Sequence, residues 1–277
     1  MNEELRAELL KIVALLEERH GIGVRGAELP LWLEERLGLA VQALLRARQL
    51  EIGALHALLL REPALVMELA NALRVGETRF YRDAPQWEAL RRSVMPGLWA
   101  RRPDPQRLMA LSAGCSTGEE AWTLGMLLYE SAPRGVGEGA RARVIGVDRS
   151  EPALVTARAA TYDSASHQQL PRELSQRFLQ PAVDGSARIV PEVQSLVTFQ
   201  CRDLTRGLPP GRYGVIVCKN VLIYFGDEAQ DRLVQELLRA LSDDGVLLVA
   251  RSEVPIVRSL GAKAHEIAPN ITAFRAH

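Results

Sequence analysis

Leu111–Leu124, LSAGCSTGEEAWTL, decides how the chain folds. The apolar run leading into it, RLMALSA, predicts a buried strand, Gly114 and Gly118 permit a tight turn, and from Glu119 a helical spacing carries Trp122, Leu124, Met126 and Leu127. A strand, a glycine loop and a helix in that order let a small adenosine-containing ligand approach the backbone at the carboxyl end of a parallel strand. The glycine spacing differs from the dinucleotide and P-loop fingerprints, and no Lys-Ser/Thr pair follows the second glycine. Glu119 and Glu120 stand in the first helical turn, where they stabilise the helix dipole but repel the diphosphate of a nucleotide. A ligand without phosphates is therefore expected. A helix-capping turn, acidic for stability alone, accounts for the same residues as well at this point.

Downstream, RARVIGVD predicts a second buried strand ending at Asp148, followed by a helix over Pro152–Ala160. Two strand-helix units in succession imply an α/β fold with a parallel sheet and right-handed crossovers. Asp148 ends the second strand, where such folds bind ribose, because an ionised carboxylate accepts two hydrogen bonds from a vicinal diol. A cap on the following helix is the other reading. Gln168–Gln180 reads as helix, and RFLQPAVDGSARIV carries a hairpin signal at Asp184-Gly185. Further strands are SLVTFQCRDL, ending at Asp203-Leu204, RYGVIVCKN, ending at Lys219-Asn220, and GVLLVARSE after an amphipathic helix over Glu228–Leu241. KAHEIAPNITAFRAH reads as a closing hairpin.

Upstream, Glu3–Leu73 is helical in pattern, with Leu5, Leu9, Ile12, Val13 and Leu16 recurring at three and four. Gly21–Pro30 breaks the first helix, and Pro63 marks a helix start, so a small bundle of about four helices is expected. GETRFYRD, Gly76–Asp83, then leads into a helix over Ala84–Trp99. Taken alone, its aromatic residues read as linker anchors and its charges as solvated.

With 277 residues the chain can bury a sizeable core, as one large domain or as one medium and one small. Lys+Arg and Asp+Glu both number 34, so no basic excess points to nucleic acid and no acidic excess to disorder. Cys115, Cys201 and Cys218 are far apart and form no Cys-x-x-Cys pair, so neither a disulfide framework nor a metal site is expected. A reducing cytoplasm fits. The start, MNEELRAELLK, is charged rather than signal-like, and no apolar run approaches the roughly 20 residues of a membrane span, so no membrane insertion is expected.

Read together and in order, GETRFYRD, LSAGCSTGEEAWTL, VIGVDRSEPAL, CRDL and CKNVLIYF resemble the CheR family of chemotaxis receptor methyltransferases. The resemblance implies a class I S-adenosylmethionine-dependent methyltransferase sheet, Rossmann-like, with an all-helical N-terminal domain over 1–75. A linker with its helix would occupy 76–106 and the methyltransferase domain 107–277, carrying a small antiparallel β subdomain at about 178–195. By position, the family's cofactor contacts fall on Thr78, Arg82, Glu120, Asp148, Asp203, Leu204, Lys219 and Asn220. Arg82 and Tyr224 take the positions the family places next to the transferable methyl. Five positions depart from the pattern: Gly76 for Asn, Ala121-Trp122 for Pro-Tyr, Lys219 for Arg, and Arg251 for the His of Gly-His-Ser-Glu.

The activity so implied is transfer of a methyl group from S-adenosylmethionine to glutamate side chains of methyl-accepting chemotaxis receptors, leaving S-adenosylhomocysteine. A glutamate carboxylate, with a pKa of about 4.3, is already ionised at neutral pH and needs no general base. The expected partner is a receptor's cytoplasmic signalling domain, met by a monomer. Two rivals are another class I methyltransferase, of small molecules or RNA, and a non-catalytic S-adenosylmethionine-binding scaffold. In relatives that bind a tethering peptide, the β subdomain offers a sheet edge and a longer, glycine-rich loop. Here QPAVDGSAR holds one glycine, Gly185, and Pro181 removes a backbone donor, so direct docking without a pentapeptide tether is expected.

Overall fold

The computed structural model describes residues 3–23, 29–73, 78–100, 108–132 and 142–275. The chain divides into two compact units, Met1–Val75 with Leu222–Arg232, and Gly76–Val221 with Leu233–His277. Gly76 and Glu77 lie outside the described residues, as do residues 24–28 of the first helix break.

The first unit contains helices Glu3–His20, Leu31–Arg48, Ile52–Arg61 and Pro63–Ala72. Their stripes of Leu9, Ile12, Leu16, Leu33, Leu37, Val41, Leu55, Leu59 and Val66 are buried in one core. Each such side chain contributes about 1.5–3 kcal/mol relative to exposure. Pro63 opens the fourth helix, where its missing N–H costs no hydrogen bond. The segment Leu222–Arg232 joins this unit through a short antiparallel contact: Phe225 bridges Ile22, Gly23 N–H donates to the Tyr224 carbonyl at 3.1 Å, and Gly226 N–H donates to the Gly21 carbonyl at 3.0 Å.

The second unit is built on strands β1 (Met109–Ala113), β2 (Arg143–Asp148), β3 (Thr161–Tyr162), β4 (Leu179–Pro181), β5 (Ala187–Ile189), β6 (Val197–Cys201), β7 (Tyr213–Cys218), β8 (Leu241–Val249), β9 (Lys263–Ala268) and β10 (Ile271–Arg275). Seven of them form one sheet in the order β6-β2-β1-β7-β8-β10-β9. The first five in that order are parallel, and β10 and β9 close the sheet antiparallel. All six residues of β7 are buried, as a strand covered on both faces requires. The chain runs from β1 outward through β2 and β6, then returns to β7 on β1's other side. The ends of β1 and β7 thus flank the point where the strand order reverses, the place where open α/β sheets bind ligands.

The helix expected over Ala84–Trp99 is interrupted by a π turn at Leu90–Val94, where the Met95 N–H bonds back to the Leu90 carbonyl. Pro96, lacking an N–H, follows directly and favours such a widened turn. Of the helix expected over Gln168–Gln180, Arg172–Phe178 is helical, and Leu179 and Gln180 already belong to β4. β4 and β5 form the hairpin around Asp184 and Gly185, both with positive φ, and β3 pairs with β5 as a third strand. At two residues β3 is too short to show an alternating pattern. Among the described residues no helix is long and apolar enough to cross a membrane, and no cluster of three or more His, Cys, Asp and Glu could hold a metal ion.

Candidate functional site

The glycine loop leaves β1 through Gly114, at φ 79°, whose N–H donates to the Val147 carbonyl at 2.8 Å. A Cβ at Gly114 would stand 2.4 Å from Val221 Cγ2, so only glycine lets β1 and the segment after β7 approach this closely. At Gly118, with φ 99°, a Cβ would meet Ala157 at 2.8 Å. Between them, Asp148 Oδ2 accepts the Ser116 N–H at 2.8 Å while Oδ1 accepts the Ser150 N–H at 2.9 Å. The cap of the following helix is Ser150, whose hydroxyl accepts the Ala153 N–H, and not Asp148. Asp148 instead joins the glycine loop to the end of β2 and is buried there.

Both carboxylates of the first helical turn are buried, which a role in helix stability alone does not require. Glu119 accepts hydrogen bonds from the Thr117 hydroxyl at 2.8 Å and the Ser166 hydroxyl at 3.1 Å, and burial pushes its pKa up. Glu120 is pushed up to about 7, chiefly by burial; Lys219 and Arg82 pull it down, while Glu253 and Asp83 push it further up. A carboxylate this dehydrated changes charge near neutral pH.

Arg82 sits between two residues held in the left-handed conformation, Tyr81 at φ 60° and Asp83 at φ 63°. Non-glycine residues occupy that region at a cost, so the surroundings must hold them there. The Arg82 carbonyl accepts from Lys219 Nζ at 2.7 Å and from Trp87 Nε1 at 2.9 Å. Tyr81 is fully buried, stacks on Trp87 and donates its hydroxyl to Glu88 at 3.0 Å. Lys219 Nζ also lies 3.2 Å from Asp83 Oδ2, 3.8 Å from Glu120 Oε2 and 5.2 Å from the centre of the Trp87 ring. Lysine at this position thus spends its ammonium on the Arg82 turn and on Glu120.

Asp203 caps the short turn after β6, its Oδ1 accepting from the Thr205 N–H at 2.9 Å and hydroxyl at 2.7 Å, with Leu204 buried beside it. Among the described residues its Oδ2 accepts no hydrogen bond. Asn220 is left-handed at φ 57°, and its N–H donates to Glu253. Thr78 is half-buried at the start of the Arg82 segment. Tyr224 belongs to the first unit, where its ring meets Trp32 edge-on at 5.4 Å. Arg82, Glu120, Asp148, Lys219 and Asn220 all lie in the second unit, and Arg82, Glu120 and Lys219 form one electrostatic cluster there. Sequence reasoning passed over Asp83, Trp87 and Glu253, which hold this cluster together.

Residues 76–260 match the family model described as CheR methyltransferase, SAM binding domain. The chain belongs to the CheR methyltransferase family. It is 30% identical over 188 residues to chemotaxis protein methyltransferase 1 of Pseudomonas aeruginosa, covering 67% of this chain and 68% of that protein. It is 29% identical to chemotaxis protein methyltransferase Cher2 of Pseudomonas putida, with the same two coverages. A 104.1 kDa protein from the hypE 3′ region of Rhodobacter capsulatus matches 90% of this chain at 26% identity, and the chain spans 25% of that protein's length.

Membership of the CheR family makes S-adenosylmethionine the cofactor, and the donor set of this chain fits it. Glu119, Glu120 and Asp148 put three buried carboxylates around one helix N-terminus, which suits a ligand bearing sulfonium and ammonium charges and rejects a diphosphate. Asp148 and Asp203 stand at or just beyond the ends of β2 and β6, as a nucleoside laid across the strand ends requires, and Glu120 stands in the first turn of the helix that follows β1 and the glycine loop.

Proposed function

We propose that this protein transfers methyl groups from S-adenosylmethionine to glutamate side chains of a chemoreceptor's cytoplasmic signalling domain, forming glutamate methyl esters in sensory adaptation. When bound, the cofactor supplies a sulfonium methyl that a carboxylate oxygen can attack, leaving a neutral thioether. Glu120 would hold the ammonium, Asp148 the ribose diol, and Asp203 the adenine amino group through Oδ2, with the Leu204 N–H donating to the ring. Thr78 and Asn220 keep the contact positions that the resemblance gives them. Arg82 would hold a carboxylate, and the Tyr224 hydroxyl would fix the methyl's trajectory. The substrate glutamate is ionised at neutral pH, so alignment and exclusion of water are what the chain must provide.

The observation that carries this reading is the rigid Arg82 turn, braced by Lys219 and Trp87 against the buried Glu120. A tritiated-methyl transfer assay on receptor signalling domains tests the reading directly.

Docking is proposed to be direct, without a pentapeptide tether, and the geometry of β4 supports this. Val190 N–H donates to the Phe178 carbonyl and Ala182 N–H to the Ser186 carbonyl, so even-numbered residues of this strand face β5. Leu179 and Pro181 then face outward. The Leu179 N–H is already bonded to the Ser175 carbonyl, and Pro181 has none, so the outer edge of β4 offers an added strand no backbone donor.

A further inference from the structure

Glu253, which the chain's chemistry leaves without a role, is fully buried in the turn after β8. Its Oε1 accepts the Val221 N–H at 2.8 Å, and its Oε2 accepts the Asn220 N–H at 2.9 Å and the Ala250 N–H at 3.0 Å. One carboxylate therefore ties the exit of β8 to the exit of β7. The turn it grips is the left-handed one at Asn220. Lys219, one residue before, bears on Glu120 and the Arg82 carbonyl, and Val221, one residue after, packs on Gly114 of the glycine loop.

We infer that Glu253 is a positioning residue of the cofactor site: by clamping Asn220 and Val221 it fixes both Lys219 against the Arg82 turn and Val221 against the glycine loop. The inference rests on the reading that these segments hold S-adenosylmethionine. A buried carboxylate is a costly way to fasten a turn unless charge-assisted bonds to several N–H groups offset its lost hydration. Three such bonds converge here, and the negative charge so fixed also acts on Glu120. Glu120 is faced by Arg82 and Asp83 from the preceding turn, by Lys219 and Cys218 at the end of β7, by Cys115 of the glycine loop, and by Glu253. Of these, Glu253 is the acidic group that opposes ionisation most.

Two measurements on the full chain test this. In the wild-type protein without ligand, hydrogen exchange should find the Asn220, Val221 and Ala250 amides among the most protected outside the sheet ladders; exchange at loop rates would overturn the clamp whatever any variant does. Calorimetry with S-adenosylhomocysteine should then show Glu253→Gln weakening binding about tenfold or more, since an amide accepts with only one end. The pH profile of binding should also move to lower pH, because a like charge beside Glu120 has been removed. A merely structural role would lower stability while leaving affinity per folded molecule and the pH profile unchanged, and that result would sink the inference. Failure of the wild-type chain to bind S-adenosylhomocysteine would instead sink the underlying reading, and the exchange result would still stand on its own.

Discussion

Lys219 Nζ lies 3.8 Å from Glu120 Oε2, both side chains withdrawn from water. Burial pushes Glu120 up to about 7, and Lys219 is the largest influence holding it down. The acid is thus poised where a cationic ligand can draw off its proton.

Affinity for S-adenosylhomocysteine should accordingly rise from pH 6 to pH 8 as Glu120 ionises, with proton release on binding near pH 6.5. Lys219→Met should push Glu120 further up and move the profile to higher pH. Glu120→Gln should weaken binding and flatten the profile. Calorimetry in buffers of differing ionisation enthalpy measures both. The same shift bears on stability with a definite sign: Glu120 binds its proton more tightly folded than unfolded, so its stabilising contribution is complete below about 4.5 and is lost as pH rises through about 7.

Gly114→Ala should destabilise the chain by about 1–3 kcal/mol, because a Cβ there would press 2.4 Å from Val221 at a left-handed φ. Gly185→Ala is the control. Its φ is also positive, yet a Cβ would meet nothing within 4 Å, so its cost should be about 1 kcal/mol or somewhat more. Urea midpoints of the two variants separate steric closeness from backbone preference; equal losses would show that Val221 does not press on the loop.

The strand-loop-helix at Leu111–Leu124 was legible because buried strands and a glycine turn leave strong local signals, and the parallel sheet followed from two strand-helix units in succession, whereas the order of its strands is set by packing between distant segments. The candidate site was legible where side chains sit at strand ends, as Asp148 and Lys219-Asn220 do. What brings them together was not. Trp87 reads as an ordinary helical aromatic, and its bond to the Arg82 carbonyl depends on a left-handed turn at Tyr81 that no residue preference announces. Glu253 acts on residues 32 and 33 positions away in sequence, a relation only the sheet order creates. The π turn before Pro96 and the two-residue β3 were missed for the opposite reason, being too short for any periodicity to register.

Arg82→Ala should remove most methyl transfer, and Tyr224→Phe should lower kcat by more than it raises the dissociation constant for S-adenosylhomocysteine. Single-turnover kinetics beside calorimetry resolve the two effects. Wild-type turnover in both variants would mean that neither residue approaches the methyl.

Removing the last residues of a receptor should leave its methylation rate unchanged, given the spent outer edge of β4. A large fall in rate, together with measurable binding of the isolated peptide, would mean that the small sheet accepts a strand after all.

The most direct measurement is incubation of the protein with methyl-tritiated S-adenosylmethionine and a purified receptor signalling domain, followed by mild alkali. Esters hydrolyse under those conditions and methylated amines do not. Label should enter the signalling domain, be released as volatile methanol, and fail to enter a domain whose glutamates are replaced by alanine. Label that resists alkali, or no label above that given by Arg82→Ala while the cofactor product still binds, would contradict glutamate methylation.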